Sequence, residues 1–335
     1  SNFETYKDAR IPFARTHDAS FCPAYGGEHT VDVHMIFRDF DADENDPNSY
    51  DFTLTDQYIE TIMDAGTEVF YRLGSKIEHE TKKYGTLPPK DFHKWARICE
   101  HIIRHMNEGW ADGHHYGIRY WEIWNEPDLD EGVTVGATWN GTNEQFFDLY
   151  TITAKLLKET YPDLKIGGPS LAWRFKTFLP KFLAHLKENN VPLDFLSWHS
   201  YATSPAVLTK NAEIVRSALD QYGFHNAESI LNEWNYVENW SSLWIRTLQA
   251  EQGLRGAAFI AACMSACQHS SVDNLMYYDA RLNSPMNGMF DMTTYRPLKG
   301  YYAFKMFSYL YDLKNAVSVS CDEPNIYGVG ACHDG

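Results

Sequence analysis

Short runs of apolar, β-branched or aromatic residues recur along the chain, each followed by a longer stretch with apolar positions at helical spacing. The runs predict strands at Ile11–His17, Val31–Phe37, Glu68–Leu73, Arg119–Trp124, Lys165–Gly168, Phe195–Tyr201, Ser229–Trp234 and Asn274–Asp279. The longer stretches predict helices at Thr55–Ala65, Asp91–Glu108, Asn143–Thr160, Phe175–Asn189, Ala206–Tyr222 and Leu243–His269. The helix from Asp91 shows the logic. Asp91 can cap the free N–H groups of the first turn. Phe92, Trp95, Ile98, Ile102 and Met106 recur on one face, and Gly109 offers a backbone able to end the helix. Strands alternating with such helices imply βαβ units and a parallel sheet. Eight candidate strands in 335 residues fit a (β/α)8 TIM barrel.

The spacing at the start complicates that count. Only thirteen residues, Asp18 to Thr30, separate the first two candidates, and they include Cys22-Pro23 and Gly26-Gly27. A parallel crossover needs a dozen or more structured residues. Either Val31–Phe37 belongs to a loop excursion or one of the two runs is not a barrel strand. The first barrel strand is then expected upstream of Ser1. The tail after Asn315 reads as strands and a turn with no following helix. The expected organisation is a barrel over 1–314 and the start of a small β-rich appendage over 315–335.

Composition narrows the class. A 44% hydrophobic content excludes a disordered chain. Gly256 to Cys267 is the longest weakly polar run, too short and too rich in small residues to span a bilayer. Acidic residues outnumber basic ones 45 to 29, a net charge of −16, which disfavours a nucleic-acid partner. Aromatic residues make up 15% of the chain, more than a core requires, and lean toward a ligand-binding cleft. The six cysteines form no CxxC, which argues against a zinc ribbon or a thioredoxin motif. Cys321 and Cys332 flank a turn and are placed to pair.

The chemistry is concentrated in two motifs. WEIWNEP, Trp121 to Pro127, starts as a strand and stops at a proline, so Asn125 and Glu126 fall at a strand's C-terminal lip. Barrel enzymes keep their catalytic groups there. ILNEWN, Ile230 to Asn235, puts Glu233 in the same place on a later strand. The two glutamates are 107 residues apart, three βα units at roughly 30–35 residues each. That spacing assigns them to strands four and seven. A glycosidic bond needs a proton on its leaving oxygen and attack or charge stabilisation at the anomeric carbon, which two carboxyl groups supply if their pKa values are pushed apart.

Trp124-Asn125-Glu126-Pro127 followed by a late glutamate resembles clan A of the glycoside hydrolases. In detail it resembles family 39, which includes β-xylosidases and α-L-iduronidases. The resemblance covers most of the chain. It implies a retaining double displacement with Glu126 as acid/base and Glu233 as nucleophile, on a plant-type glycoside such as a β-xyloside. It gives Asn125 the sugar 2-hydroxyl. The family's Arg-x-His on strand two matches Arg15 and His17, and its His-x-Tyr on strand six matches His199 and Tyr201. No metal or organic cofactor is implied, and the partner is a carbohydrate, with neither nucleic acid nor membrane. Two positions depart from the pattern. Asp18 stands where a glycine is expected, and Met276-Tyr277-Tyr278-Asp279 stands where a tryptophan ends strand eight. Trp234 and Tyr278 are the expected aromatic substrate contacts, with Trp173, Trp198 and Trp240 as further stacking candidates. Trp198 alternates with His199 and has an outward-packing alternative. A catalytically silent carbohydrate-binding barrel and a transglycosylase are the other readings of the same residues.

The remaining polar groups have plainer readings. Glu122 shares a strand face with Glu126 by period-two alternation and reads as a structural partner of Arg119 or Arg72. Lys76, Glu78 and His79 follow the third predicted strand and are open to a subsite role. His101 and His105 stand four apart on a helix but lack the intervening glutamate of a zinc protease, and read as a solvated face. His114 and His115 carry no motif. The acidic segment Asp39–Asp51 lacks EF-hand spacing and reads as a solvated loop.

Overall fold

The computed structural model describes residues 2–17, 30–79, 81–130, 136–282, 284–323 and 325–333. Asp18, Cys22 and Gly26-Gly27 lie outside them. Seven parallel strands form one sheet in chain order. They are β1 (Phe13–Arg15), β2 (Glu68–Leu73), β3 (Tyr120–Ile123), β4 (Lys165–Leu171), β5 (Phe195–Ala202), β6 (Glu228–Tyr236) and β7 (Asn274–Leu275). Helices fill the crossovers: α2 (Val33–Ile36) and α3 (Thr53–Asp64), then α4 (Phe92–Glu108), α5 (Asn143–Thr160), α6 (Phe178–Glu188), α7 (Pro205–Tyr222), and finally α8 (Trp244–Glu251) with α9 (Leu254–Cys267). The sheet curls far enough that Arg15 on β1 reaches Glu233 on β6 at 3.2 Å. This is a (β/α)8 barrel with seven of its strands among the described residues.

Alternation sorts each strand into two faces. Tyr71, Trp121, Leu196, Trp198 and Leu231 face outward into the main core with the helices. Phe13, Phe70, Tyr120, Phe195, Ile230 and Met276 meet inside the barrel as a separate cluster. They plug the interior beneath the polar groups, so the lumen is a packed core and only its upper end is free for chemistry.

The local signals in the sequence explain most of the elements. The Asp91 carboxylate accepts from the N–H groups of His93 and Lys94, and Gly109 closes α4 in the left-handed region at φ 78°. A capping box between Thr142 and Gln145 starts α5.

Several expectations need correction. Val31–Phe37 is no strand. It is the excursion between β1 and β2, with one short helical turn, α2. The run Leu243–His269 is two helices, because Gly253 takes an extended backbone between them. Only Asn274 and Leu275 pair regularly in the last predicted strand, although Met276 and Tyr278 still donate to Leu231 and Trp234 carbonyls. His101 and His105 are buried, not solvated. Glu122 pairs with Arg15, while Arg119 pairs with Glu68 and Arg72 with Asp32.

Two helices were not anticipated. α1 (Phe3–Ala9) and α10 (Lys299–Asp312) pack together through Asp8–Lys305 at 2.6 Å and Arg10–Asp312 at 2.6 Å. Both are short on period, α10 because aromatics occupy its exposed face as well as its buried one. Beyond α10, β8 (Asn315–Val317) and β9 (Gly330–Cys332) form a small antiparallel ladder. Cys321 and Cys332 are free, exposed thiols rather than a pair, since the ladder sets Cys332 opposite Asn315.

Candidate active site

Arg15 is the hub of the barrel's upper end. Its Nε donates to Glu122 Oε2 at 2.6 Å, and one terminal nitrogen donates to Glu233 Oε2 at 3.2 Å. The other donates to Asn125 Oδ1 at 2.7 Å and Ser170 Oγ at 2.9 Å. A planar fork with several donors suits this task better than a lysine would. Burial works against its charge, but the Glu122 and Glu233 carboxylates outweigh that and hold the guanidinium above its ordinary value.

Glu126 lies past the end of β3. The strand stops at Ile123, and both Trp124 (φ 79°) and Glu126 (φ 50°) adopt the left-handed region. Such backbone is costly for a non-glycine residue and is held here by partners on both sides. Trp124 N–H donates to Leu73 O at 2.6 Å, and Glu126 N–H donates to Ser170 O at 2.9 Å. The Glu126 side chain meets His199 Nδ1 at 2.7 Å. Burial, and then the charge of Asp128, push the Glu126 carboxyl up to about 8, against the pull of Arg15.

Glu233 reaches the same point by a bulge. The β5–β6 register runs Trp198 to Leu231 and then His199 to Glu233, leaving Asn232 as an extra residue. A bulge lets two consecutive side chains face one way. Asn232 Nδ2 therefore donates to Glu122 Oε1 at 2.5 Å while Glu233, next in sequence, meets Arg15. The Tyr201 hydroxyl donates to Glu233 Oε1. Burial, and then the charge of Glu126, raise the Glu233 carboxyl above its ordinary value, against the pull of Arg15 and the Tyr201 hydroxyl. Burial takes the His199 imidazole down to about 4, so it is neutral near neutral pH.

The neutral His199 has one ring proton to place. Its Nε2 lies 2.6 Å from Ser170 Oγ, which already accepts from Arg15 and faces Asn232 Oδ1. A proton on Nε2 suits an accepting serine oxygen. Nδ1 then carries the lone pair, facing Glu126. A protonated Glu126 is the group that satisfies it.

One oxygen from each glutamate and a ring nitrogen of His199 lie within 4.8 Å of one another. Such a trio can hold a cation, but the Arg15 guanidinium already stands there. Two glutamates meet at one point in unlike surroundings, one beside a guanidinium and a phenol and one beside a neutral imidazole, the kind of setting that pushes two carboxyl pKa values apart.

Most of the expected residues converge. Arg15, Asn125, Glu126, His199, Tyr201 and Glu233 form one connected cluster. His17 and Tyr278 stand beside it with rings 6.3 Å apart, and Tyr278 is 6.5 Å from Tyr201. Trp234 does not join them. It is fully buried on the outer face of β6, edge-on to Tyr277 at 5.3 Å and against Phe259 of α9. Trp198 likewise packs outward, against Phe175. Trp240 and Trp173 are exposed, and Trp240 sits edge-on to Tyr201 at 4.9 Å and stacks on Trp244. Glu78 accepts from the backbone of Tyr84, Gly85 and Thr86, so it shapes a turn rather than facing the cluster. Lys76 is buried and His79 is exposed.

Three participants were missed: Ser170, Asn232 and Asp128. Asp128 is fully buried and accepts from Ala172, Trp173 and Arg174 N–H at 2.8, 3.1 and 2.8 Å. It ties the loop after β3 to the loop after β4. Its position directly after WNEP was the available signal.

This fold and site define a barrel of the glycosidase type, and the comparisons with known proteins agree. The profile described as "Glycosyl hydrolases family 39" matches residues 20–266, and the chain belongs to that family. It is 30% identical to a β-xylosidase of Caldicellulosiruptor saccharolyticus over 190 residues, 54% of this chain and 36% of the relative. It is also 30% identical to a β-xylosidase of Geobacillus stearothermophilus over 199 residues, 55% of this chain and 37% of the relative. The chain thus spans little more than a third of the length of these relatives. The crystal structure of a glucosidase from Croceicoccus marinus superposes over 99% of this chain and 68% of its own, with a TM-score of 0.80 at 24% identity.

Proposed function

We propose that this chain carries the catalytic barrel of a retaining O-glycoside hydrolase acting on a plant-type glycoside such as a β-xyloside. The observation that carries the reading is the Glu126–Glu233 pair. One oxygen of each carboxyl lies within 4.8 Å of the other's, which fits the retaining separation of about 5–5.5 Å and is short of the inverting one of about 6.5–9.5 Å. The family and its β-xylosidase relatives support the reaction class and point to the sugar.

In the first step Glu233 attacks the anomeric carbon. Arg15 and the Tyr201 hydroxyl hold its carboxylate charged and oriented. Glu126 gives its proton to the leaving oxygen as the bond breaks. Once the glycosyl–enzyme ester forms, the Glu233 charge is gone and the Glu126 carboxyl ionises more easily. It then takes a proton from water, which attacks the ester and restores both groups. Asn125 Nδ2, buried and without a hydrogen-bond partner among the described residues, is the donor left for a sugar hydroxyl. Trp240, exposed beside Tyr201, offers a face for a sugar ring beyond the scissile bond.

The test is hydrolysis of a panel of p-nitrophenyl α- and β-pentosides and hexosides, with Glu233→Ala alongside. Release from one sugar, lost in the variant and with retained configuration in the first product, supports the proposal. Release that persists in Glu233→Ala removes the nucleophile assignment. Inversion removes the mechanism.

A further inference from the structure

On the helical side of the barrel, three elements bring two imidazoles to one carboxylate. Asp56 comes from the first turns of α3, His105 from the last turn of α4, and His114 from the loop that follows α4. None belongs to the proposed hydrolysis. His105 Nε2 lies 3.0 Å from Asp56 Oδ1, and His114 Nε2 lies 3.4 Å from Asp56 Oδ2. One ligating atom from each residue falls within 4.8 Å of the other two.

The lone pairs at this point call for a positive charge, a proton or a metal ion. His105 Nδ1 faces the Trp110 carbonyl at 2.9 Å. A carbonyl only accepts, so Nδ1 carries the ring proton. In a neutral His105, Nε2 then presents a lone pair to a carboxylate oxygen that also has only lone pairs. His114 Nε2 is buried as well and, among the described residues, has no hydrogen-bond partner beyond its 3.4 Å approach to Asp56. Either His105 is imidazolium and a neutral His114 turns its Nε2 proton toward Asp56, or a single cation stands among three lone-pair donors. A ligating histidine with its other nitrogen on a backbone carbonyl is the usual outer-shell arrangement of a metal site.

The cluster is also built to keep its shape. His114 N–H donates to the His105 carbonyl at 2.6 Å, and Gly109 N–H donates to the His114 carbonyl at 2.9 Å. These bonds fold the loop back onto the helix end. A side chain at Gly113 would run into the His105 carbonyl, so only glycine permits the turn. His105 stacks on Phe52 at 3.5 Å and His114 on Tyr116 at 4.3 Å, which fixes both ring planes. Zinc bonds of about 2.0–2.1 Å in a tetrahedron put neighbouring ligand atoms roughly 3.3 Å apart, and the three ligand atoms here, one from each residue, lie within 4.8 Å of one another.

We propose that Asp56, His105 and His114 form a binding site for a divalent transition-metal ion of the zinc type, with water completing the shell. Two imidazole nitrogens and one carboxylate select such an ion over magnesium or calcium. Its role is a clip joining α3, α4 and the loop between α4 and β3, away from the reacting carboxyls.

The chelator-treated full chain is titrated with zinc chloride by calorimetry and with cobalt(II) by visible absorption. The expected result is a single tight equivalent, a tetrahedral cobalt band and a higher unfolding midpoint with zinc. His114→Gln, on a half-exposed loop, weakens zinc binding at least about a hundredfold and leaves glycoside hydrolysis unchanged. Asp56→Asn weakens it too, and His115→Gln and Glu126→Gln do not. No binding at micromolar zinc overturns the proposal and leaves a His105–Asp56 ion pair as the answer. So does binding that survives His114→Gln and Asp56→Asn, or that disappears in Glu126→Gln.

Discussion

Glu126 and Glu233 are the same side chain in one pocket, and only their neighbours separate them. Glu233 has a guanidinium and a phenolic hydroxyl, both of which favour its charged form. Glu126 has a neutral imidazole, and Asp128 nearby disfavours its ionisation. The proton of the pair therefore rests on Glu126 in the free protein. With its carboxyl near 8, activity should fall as pH rises through about 8, while on the acid side it falls as Glu233 takes up a proton. A kcat/KM profile measures this, and a profile flat to pH 10 would contradict the assignment. Glu126→Gln should lower kcat/KM, which reports the first step, about 10²–10⁴-fold on an alkyl glycoside and much less on a p-nitrophenyl glycoside, whose leaving group needs little help. An equal loss on both would mean that Glu126 does not protonate the leaving oxygen. These two residues were legible because each motif joins a strand to a polar lip. Trp234 was misread for a physical reason. Asn232 adds a residue to β6, so Glu233 turns inward out of strict alternation and Trp234 turns outward behind it.

At the scale of elements, the site depends on how loops at the strand ends are fastened to each other. Asp128 does this for the loops after β3 and β4, with three backbone donors on one buried carboxylate. Asp128→Ala leaves those donors unpaired. It should cost about 3 kcal/mol of stability, since a buried polar group without its partner costs about 1–3 kcal/mol and water recovers part of the sum. Ser170 and Glu126 share this junction through Glu126 N–H and Ser170 O. The variant should therefore also lower kcat, while Asp128→Asn, which keeps one acceptor oxygen, should recover part of both. Denaturant titration and kinetics read the two effects. Unchanged stability in Asp128→Ala would show that the loops hold by other contacts. The strands and helices that carry these loops were readable where period and caps agreed, as in α4. They were not readable where a glycine cut an apolar run, as at Gly253, or where aromatics covered both faces, as in α10.

Across the whole molecule, burial of carboxyls links stability to pH. Glu251, near the end of α8, is fully buried, and neither carboxylate oxygen has a hydrogen-bond partner among the described residues. Burial, and then the charge of Asp279, push it up to about 9. Glu126 stands at about 8. In the unfolded chain both return to the ordinary glutamate range near 4.3. Between those limits the folded state holds protons that the unfolded state has lost. Stability is then complete below about pH 4.3 for these two groups and declines as pH rises through 8 and 9. The slope is up to about 1.4 kcal/mol per pH unit for each group. The unfolding midpoint should therefore fall steadily from pH 6 to pH 9. Glu251→Gln, which keeps the shape and cannot ionise, should flatten the upper part of that decline and raise the midpoint at pH 9. It touches none of the reacting groups, so hydrolysis at pH 6 should be unchanged. A midpoint independent of pH from 6 to 9, or a Glu251→Gln curve parallel to the parent, would mean that Glu251 is ionised in the fold and has found a partner.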